Sequence, residues 1–354
     1  MKLQIQKGLL EQVLSQMQPF LEKKDISQIT SHVYLEATTH LILKATDYET
    51  GLKTTIEELQ IITPGKATAN GKKLLDIVRI LKEDLVTLQT KDGSLHIHQG
   101  HSKFKLPMFD PEEYPSFPSI DGLPQIDIPS TAFISSLKKI SPAIDTNNPK
   151  FELNGALIDI RPTYINFVAT DTRRLALVKL DQPMKEAFNL IIPKKAIMEI
   201  QKLFLEDISM FYDQTHLIIK SGGYFFFTKL INGKFPDYER ILPKELRYVL
   251  KLPKDQMIEA IKQITIVSNE IKLSFYPDKI LFKSLSEENI EAQTELEIAT
   301  PFEGEFVMAV NSRYILDFLA NTETDEFEMG INDAELPFEL KENNFITIVM
   351  PIVI

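Results

Sequence analysis

The chain repeats one pattern of helix, strands and helix three times. Its 354 residues divide into thirds of about 118 residues, and each third opens with an amphipathic helix pattern. In the first third, the apolar residues from Leu10 to Met17 follow the i, i+3, i+4, i+7 spacing of a helix with one buried face. Equivalent patterns begin at Pro129-Ser130 and at Pro253-Lys254. A repeat of this length predicts three similar domains, because each third is long enough to bury its own core.

Short alternating strands and a second helix follow in each third. The tripeptide Ala45-Thr46-Asp47 recurs as Ala169-Thr170-Asp171, in both cases at the end of a strand pattern. The second helix pattern begins near Gly71, Pro193 and Asn311. The sequence therefore predicts an α+β fold, with three copies of a unit built from two helices and antiparallel strands.

Two proline-containing stretches separate the thirds. Pro107–Pro124 and Phe235–Pro243 lack helix or strand periodicity, and proline interrupts both kinds of element. We expect an N-terminal domain of residues 1–122, a middle domain of residues 123–243 and a C-terminal domain of residues 244–354.

The composition excludes several classes of protein. Apolar residues make up 44% and charged residues 25%, as in ordinary globular proteins. The absence of Cys removes disulfides, thiolate zinc sites and cysteine nucleophiles, and we expect a cytoplasmic protein because no signal peptide or membrane segment is recognisable. The net charge of −11 argues against a protein that coats nucleic acid, since such binding depends on Lys and Arg. A local basic surface remains compatible with it.

The candidates for catalysis or metal binding are weak. Gly65–Lys73 resembles a phosphate-binding loop, but five residues instead of four separate its glycines, and Lys73 stands where such a loop has Ser or Thr. A turn into a helix explains this segment better. His96, His98 and His101 could hold a metal from one strand face, but no carboxylate accompanies them, and a solvent-facing strand is the better interpretation. We expect no catalytic residues, no metal and no cofactor.

Several short motifs, in a fixed order, resemble those of one family. They are Lys72–Ile77, Ala169–Ala176, Phe235–Tyr238, Asn311–Tyr314 and Val349–Pro351. In this order they resemble the bacterial DNA sliding clamps, the β subunits of DNA polymerase III, over essentially the whole chain. The resemblance implies a head-to-tail homodimer closed into a ring around duplex DNA, with helices lining the hole. It also implies a non-enzymatic processivity factor with four kinds of partner: duplex DNA, the replicative polymerase, the clamp loader and other proteins that carry clamp-binding motifs.

The resemblance places three sets of residues. It assigns DNA contacts to Lys23, Lys24, Lys72, Lys73, Arg79, Lys138, Lys139, Lys150, Lys194, Lys195 and Lys202. It assigns a peptide-binding pocket to Leu153, Thr170, Thr172, Arg173, Arg174, Leu175, Pro236, Arg240, Ile241, Asn311, Tyr314, Ile348, Val349, Met350 and Pro351. It assigns the contact between subunits to Lys103 and Phe104 on one side and to Ile266, Val267 and Glu291 on the other. A ring retains DNA topologically and needs only weak phosphate contacts, so the acidic net charge is compatible with this function.

Two alternatives remain open. The chain could be an enzyme that acts on a phosphorylated substrate through Gly65–Lys73, in which case it would bind nucleotide. It could also be a repeat scaffold that binds proteins only, which would share the pocket but form no ring on DNA.

Overall fold

Each third of the chain folds into two helices and a set of strands. The computed structural model describes residues 1–25, 27–205, 207–285 and 290–353. The first third contains, in chain order, β1 (Lys2–Gln6), α1 (Lys7–Met17), β2 (His32–Ala37), β3 (Leu41–Thr46), β4 (Thr50–Ile56), β5 (Leu59–Thr63), β6 (Gly65–Asn70), α2 (Gly71–Ile80), β7 (Leu85–Lys91), β8 (Ser94–Gln99) and β9 (Ser102–Pro107).

The other two thirds repeat this order with small variations. The middle third contains β10 (Gln125–Ile126), α3 (Ser130–Ile140), β11 (Gly155–Ile160), β12 (Ile165–Thr170), β13 (Arg174–Leu180), β14 (Phe188–Pro193), α4 (Lys194–Leu203), β15 (Ser209–Tyr212), β16 (His216–Ser221) and β17 (Tyr224–Lys229). The last third contains β18 (Tyr248–Pro253), α5 (Lys254–Thr265), β19 (Glu270–Phe275), β20 (Lys279–Ser284), β21 (Gln293–Glu297), β22 (Phe306–Asn311), α6 (Ser312–Leu319), β23 (Glu326–Ile331), β24 (Phe338–Glu342) and β25 (Phe345–Val349). The predicted helices and the α+β fold class are confirmed.

The helices begin and end for local reasons. In α1 the residues Leu10, Val13, Leu14 and Met17 are buried, which is the apolar stripe that the periodicity predicts. Before α2 the Asn70 side chain accepts a hydrogen bond from a backbone N–H of the first turn, and Asn311 does the same before α6. Side-chain caps of this kind satisfy N–H groups that have no partner inside a helix.

The chain forms two compact units, which are described separately. Unit 1 comprises Met1–Thr131 and Met198–Leu230. It contains a five-stranded sheet in the order β5-β1-β7-β8-β9 and an eight-stranded sheet in the order β10-β15-β16-β17-β4-β3-β2-β6. The pairing of β17 with β4 joins strands from the middle and first thirds into one sheet.

Unit 2 is built in the same way. It comprises Ala132–Ile197 and Ile231–Ile354, with an eight-stranded sheet in the order β14-β11-β12-β13-β25-β24-β23-β18 and a four-stranded sheet in the order β21-β20-β19-β22. Here the pairing of β25 with β13 joins the last third to the middle third. In both units, therefore, the final strand of one third pairs with the strand after the first hairpin of the preceding third.

The two joints have the same register but different side chains. Phe227 lies opposite Gly51 in unit 1, and Ile348 lies opposite Leu175 in unit 2. A Cβ atom at Gly51 would overlap the Phe227 ring, which is itself buried. In unit 1 the ring of Phe227 thus fills the space that the side chains of Leu175 and Ile348 share in unit 2.

Buried aromatic and aliphatic side chains form the cores. In unit 1 the rings of Phe20 and Phe204 pack edge-on against Phe226, and in unit 2 Phe133 packs edge-on against Phe167. Full burial of one such side chain contributes about 1.5–3 kcal/mol. Among the described helices, none is long and apolar enough to span a membrane.

Candidate peptide-binding site

The turn between β12 and β13 is held by its own side chains. The Thr170 hydroxyl donates to the carbonyl of Arg174 at 2.7 Å, and Asp171 Oδ1 accepts hydrogen bonds from the backbone N–H groups of Arg173 and Arg174 at 3.0 and 2.9 Å. Thr172 between them has a φ of +72°, a left-handed conformation that costs energy for a β-branched residue.

The repeated tripeptide builds the same turn in unit 1. Thr46 donates to the carbonyl of Thr50 at 2.8 Å, Asp47 accepts from the N–H groups of Glu49 and Thr50, and Tyr48 has a φ of +69°. The shared sequence Ala-Thr-Asp is therefore explained by the turn, in which the Asp accepts backbone hydrogen bonds, and acid–base chemistry is not needed to account for it.

Arg174 is buried directly after this turn. Its side chain is 7% exposed and forms ion pairs with Asp171 at 3.1 Å and with Asp317 at 2.6 Å. One guanidinium nitrogen donates to the carbonyl of Pro142, and the guanidinium lies 4.5 Å from the centre of the Tyr314 ring. Burial raises the pKa of Tyr314, so this phenol stays neutral beside the cation. The planar guanidinium suits a site that requires several partners in fixed directions.

A cavity of about 420 Å³ opens beside Arg174. Its lining is predominantly apolar and includes two arginines but no carboxylate. The lining residues are Thr170, Thr172, Arg174, Leu175, Arg240, Ile241, Leu242, Pro243, Asn332, Leu336, Pro337, Ile348 and Met350. An apolar cleft of this size with a few polar groups at its rim can hold the apolar side chains of an extended peptide.

The structure brings part of the predicted pocket to this cavity. Residues assigned to it from the sequence that line it are Thr170, Thr172, Arg174, Leu175, Arg240, Ile241, Ile348 and Met350. The others lie nearby or beneath: Leu153 and Val349 are buried, Arg173 is exposed on the turn, Asn311 caps α6, Tyr314 lies against Arg174, and Pro236 and Pro351 are absent from the lining.

The predicted DNA-contacting residues have varied environments. Lys23, Lys72, Lys73 and Arg79 line a second cavity, of about 520 Å³, beside the first turns of α2 in unit 1. In that cavity the N-terminus of the helix adds positive potential to the side-chain charges. Lys24, Lys138 and Lys150 are exposed, as is Lys195 in the first turn of α4.

Other predicted DNA contacts are engaged within the chain. Lys139 pairs with Glu323 at 3.0 Å and is largely buried, and Lys194 donates to the carbonyl of Ile144 at 2.7 Å. Burial lowers the pKa of Lys194. Lys202 pairs with Glu199 at 2.8 Å. Lys139 and Lys194 are therefore less available to a phosphate than the lysines of the α2 cavity, whereas Lys202 stays exposed beside its partner.

The weak enzymatic candidates become ordinary structure. Gly65–Asn70 is strand β6, paired with β2, and the helix α2 follows at once, so the segment forms no phosphate-binding loop. His96 and His98 lie on β8 with their rings stacked 6.0 Å apart. Within the described ranges, no group of three or more His, Asp or Glu side chains could hold a metal ion.

Family models match nearly all of the chain. The models for the N-terminal, central and C-terminal domains of the DNA polymerase III beta subunit match residues 1–118, 127–237 and 239–352, respectively. The chain belongs to the DNA polymerase III beta subunit family. The resemblance inferred from the short motifs is thereby confirmed.

Relatives in the DNA polymerase III beta subunit family cover the full chain. The Beta sliding clamp of Helicobacter pylori strain J99 is 39% identical over 352 residues, covering 97% of this chain and 94% of the relative. The Beta sliding clamp of Pseudomonas aeruginosa is 27% identical over 361 residues, covering 98% of each. The crystal structure of the Helicobacter pylori beta clamp bound to a DNA ligase peptide has a TM-score of 0.95 at 39% identity, and that of the Pseudomonas aeruginosa subunit has 0.91 at 26%; each match covers 100% of both chains.

Sequence reasoning missed part of the cavity that this chain forms. Leu242 and Pro243 follow the linker motif, and Asn332, Leu336 and Pro337 come from the turn between β23 and β24. Leu242 and Pro243 could have been recognised from the sequence, because they directly follow Arg240 and Ile241, which the resemblance assigns to the pocket. The second group carried no local signal, because only the pairing of β25 with β13 brings that turn to the cavity.

Residues assigned to the subunit contact lie on exposed parts of each unit. Lys103 and Phe104 belong to β9, at the edge of the five-stranded sheet, and Phe104 is partly buried. Ile266, which follows α5, is 85% exposed, Val267 is partly buried, and Glu291 is exposed before β21. The assignment of these residues to a contact between subunits stays a prediction.

Proposed function

We propose that this chain is a sliding clamp, a non-catalytic subunit that encircles duplex DNA as a head-to-tail dimer. Its cavity beside Arg174 would receive peptides of the replicative polymerase, the clamp loader and other partners, as the Helicobacter pylori relative binds a DNA ligase peptide. The observation that carries the proposal is the sheet joint between successive thirds, which occurs twice within the chain and leaves two matching free edges.

The first free edge is β9. It occupies the place in the first third that β17 and β25 occupy in the others, because each is the second strand of the last hairpin. The first residue after the turn that pairs with the preceding strand is Ser102 in β9, Tyr224 in β17 and Phe345 in β25. β17 and β25 each pair with a strand of the preceding third, whereas β9 ends its sheet.

The second free edge is β21. It corresponds to β4 and β13. In each third, the same position of the preceding strand pairs with one residue of these strands: Thr54 in β4, Val178 in β13 and Thr294 in β21. In the two joints Tyr224 lies opposite Thr54 and Phe345 lies opposite Val178. A third joint, between β9 of one copy and β21 of another, would therefore place Ser102 opposite Thr294.

This register gives complementary side chains along β9 and the residues that immediately precede β21. It places Phe104 opposite Ala292, Lys105 opposite Glu291 and Leu106 opposite Ile290. Apolar and oppositely charged cross-strand pairs each contribute about 0.2–1 kcal/mol. Two such contacts, each joining unlike surfaces, close a ring if the rotation between copies permits.

The basic cavity beside α2 supports contact with DNA. Lys23, Lys72 and Lys73 together carry positive charge on a chain whose net charge is −11, so that the positive potential is local. Contacts of this kind are independent of sequence and weaken with salt, which suits a ring that slides.

The remaining features of the proposal follow the family. We assign three domains, residues 1–122, 123–243 and 244–354, and a cytoplasmic location beside the chromosome. The clamp needs neither cofactor nor metal. The lysines assigned to DNA and the residues assigned to the pocket remain part of this proposal.

A cross-linked ring on DNA tests the proposal. The chain has no Cys, so the variant Ser102→Cys with Thr294→Cys would form a disulfide only between copies paired in the inferred register. Directly opposite strand residues have Cα separations of about 4.5–5.5 Å, within the range that a disulfide spans. After loading onto circular DNA by a matching clamp loader with ATP, and oxidation, we expect protein to stay on the circle in detergent and to leave when the circle is cut.

The matched control shifts the register by one residue. Ser102→Cys with Gln293→Cys places the sulfurs on opposite faces of the sheet and should not cross-link. Equal retention on linear and circular DNA, or a monomer that the Thr294 variant fails to cross-link, would contradict the ring and leave a scaffold or an ordinary DNA-binding protein.

A further inference from the structure

One wall of the peptide cavity is attached to the core through the buried Tyr238 and through Leu242, which packs against the same core cluster. Residues 240–243 form this wall, and Tyr238 begins the short 3₁₀ turn Tyr238–Arg240 that leads into it. The Tyr238 ring belongs to the same core cluster as Leu175 and Ile348, which form the cavity floor. The side chain is 5% exposed, so the position of Tyr238 determines where the wall begins.

The Tyr238 hydroxyl lies in a buried polar network. It donates to Asp159 Oδ2 at 2.6 Å and accepts from Asn166 Nδ2 at 2.9 Å. Asp159 is 1% exposed, and its other oxygen accepts from Arg161 at 2.8 Å and, when the amide nitrogen faces it, from Asn189 at 2.6 Å. Burial, together with Asp159, raises the pKa of Tyr238, so the hydroxyl keeps its proton and donates to the carboxylate. Hydrogen bonds to charged acceptors are roughly twice as strong as neutral ones.

The corresponding region of unit 1 has a different tyrosine contact: in its linker, Tyr114 donates to backbone carbonyls of β2 and β3 instead of to a carboxylate. By sheet register Glu36 takes the place of Asp159, and, counted from the Phe-Pro dipeptide of each linker, Ile120 takes the place of Tyr238. Ile120 packs in an apolar cluster that contains Phe227, the ring that fills the unit 1 joint. The fold of the repeat therefore does not require a hydrogen bond from tyrosine to a buried carboxylate, and this bond occurs in the unit that has the cavity.

We propose that Tyr238 is a positioning residue for peptide binding, whose hydrogen bond to Asp159 holds the 240–243 wall in the place that completes the cavity. This inference rests on the proposed function, because it presumes that the cavity takes peptides. Tyr238 itself lies beneath the wall and is not among the cavity-lining residues.

A double-mutant cycle tests this role. The probe is the DNA ligase peptide of the Helicobacter pylori complex, fluorescently labelled, with the dissociation constant measured by anisotropy. We expect Tyr238→Phe to weaken binding about tenfold, since the lost hydrogen bond is to a charged group. Ile241→Ala, on the same wall, should then cost at least about threefold less in the Tyr238→Phe background than in the wild type, whereas Met350→Ala should cost the same in both backgrounds.

Four outcomes are decisive. Unchanged affinity of Tyr238→Phe, or an Ile241→Ala effect that is equal in both backgrounds, overturns the positioning role. Ile264→Val, a core change in α5, should lower the unfolding temperature without changing the dissociation constant; an equal loss of affinity there would show that general destabilisation explains the result, and would also overturn it. Failure of the wild type to bind the peptide contradicts the proposed function itself.

Discussion

Arg173 and Arg174 are neighbours in sequence with opposite environments. The side chain of Arg173 points into solvent, while Arg174 is buried between Asp171, Asp317 and the ring of Tyr314. The difference arises because the left-handed Thr172 turns the chain before β13 begins, so that successive side chains leave on opposite faces. Of the two, only Arg174 combines a structural role with access to the cavity.

We expect Arg174→Ala to destabilise unit 2 by about 3 kcal/mol, because it leaves Asp171 without its ion-pair partner and Asp317 with only Arg313, at 3.9 Å. The change should appear as a lower urea midpoint. Arg173→Ala is the matched control and should change the free energy of unfolding by no more than about 0.5 kcal/mol. Similar midpoints for the two variants would show that the buried ion pairs do not stabilise the unit.

At the scale of elements, the helices were predictable and the sheets were only partly so. The apolar stripe of α1 and the cap at Asn70 are local signals, and the structure has both. The pairing of β17 with β4 joins residues far apart in sequence and has no local signature. For the same reason the cavity residues supplied by the β12–β13 turn were recognised from a motif, whereas Leu336 was missed. Long-range strand pairing depends on the three-dimensional packing of faces, which periodicity alone does not specify.

The turn between β12 and β13 carries backbone strain that one substitution should relieve. Thr172→Gly removes the Cβ that disfavours a φ of +72°, and we expect a gain of up to about 1 kcal/mol in the free energy of unfolding. Thr172→Val keeps the branched Cβ and should give no gain. A urea midpoint for Thr172→Gly at or below that of Thr172→Val would show that the turn hydrogen bonds already compensate the strain.

At the scale of the whole molecule, β9 and β21 are end strands of their sheets in the part of the chain that the structure describes. Free strand edges invite pairing with another chain, and natural proteins usually block them. Here the edges differ in charge: β9 carries Lys103 and Lys105, and Glu291 precedes β21, which itself contains Glu295. Like edges repel and unlike edges attract, which favours pairing of β9 with β21 over pairing of β9 with β9 or of β21 with β21.

Charge reversal at the inferred contact should control assembly. Lys105→Glu places two carboxylates opposite each other, and we expect the dimer dissociation constant to rise at least tenfold, about 1.4 kcal/mol, in sedimentation velocity. Adding Glu291→Lys to the same chain should restore the dimer. Lys234→Glu makes the same change in net charge on an exposed residue that belongs to neither β9 nor β21, and it should leave the mass unchanged. A double variant that stays monomeric would refute the inferred register.

Phe227 has a consequence for how partners share this molecule. In unit 1 its ring occupies the place that corresponds to the cavity floor of unit 2. The turn that both units share is therefore only structural in unit 1, whereas in unit 2 it lines the cavity. Of the two equivalent places, only the one in unit 2 can bind a partner. A ring of two copies could therefore bind at most two partners there at a time. The polymerase, the clamp loader and other partners would have to compete for these two sites, and the outcome would depend on the abundance and the residence time of each.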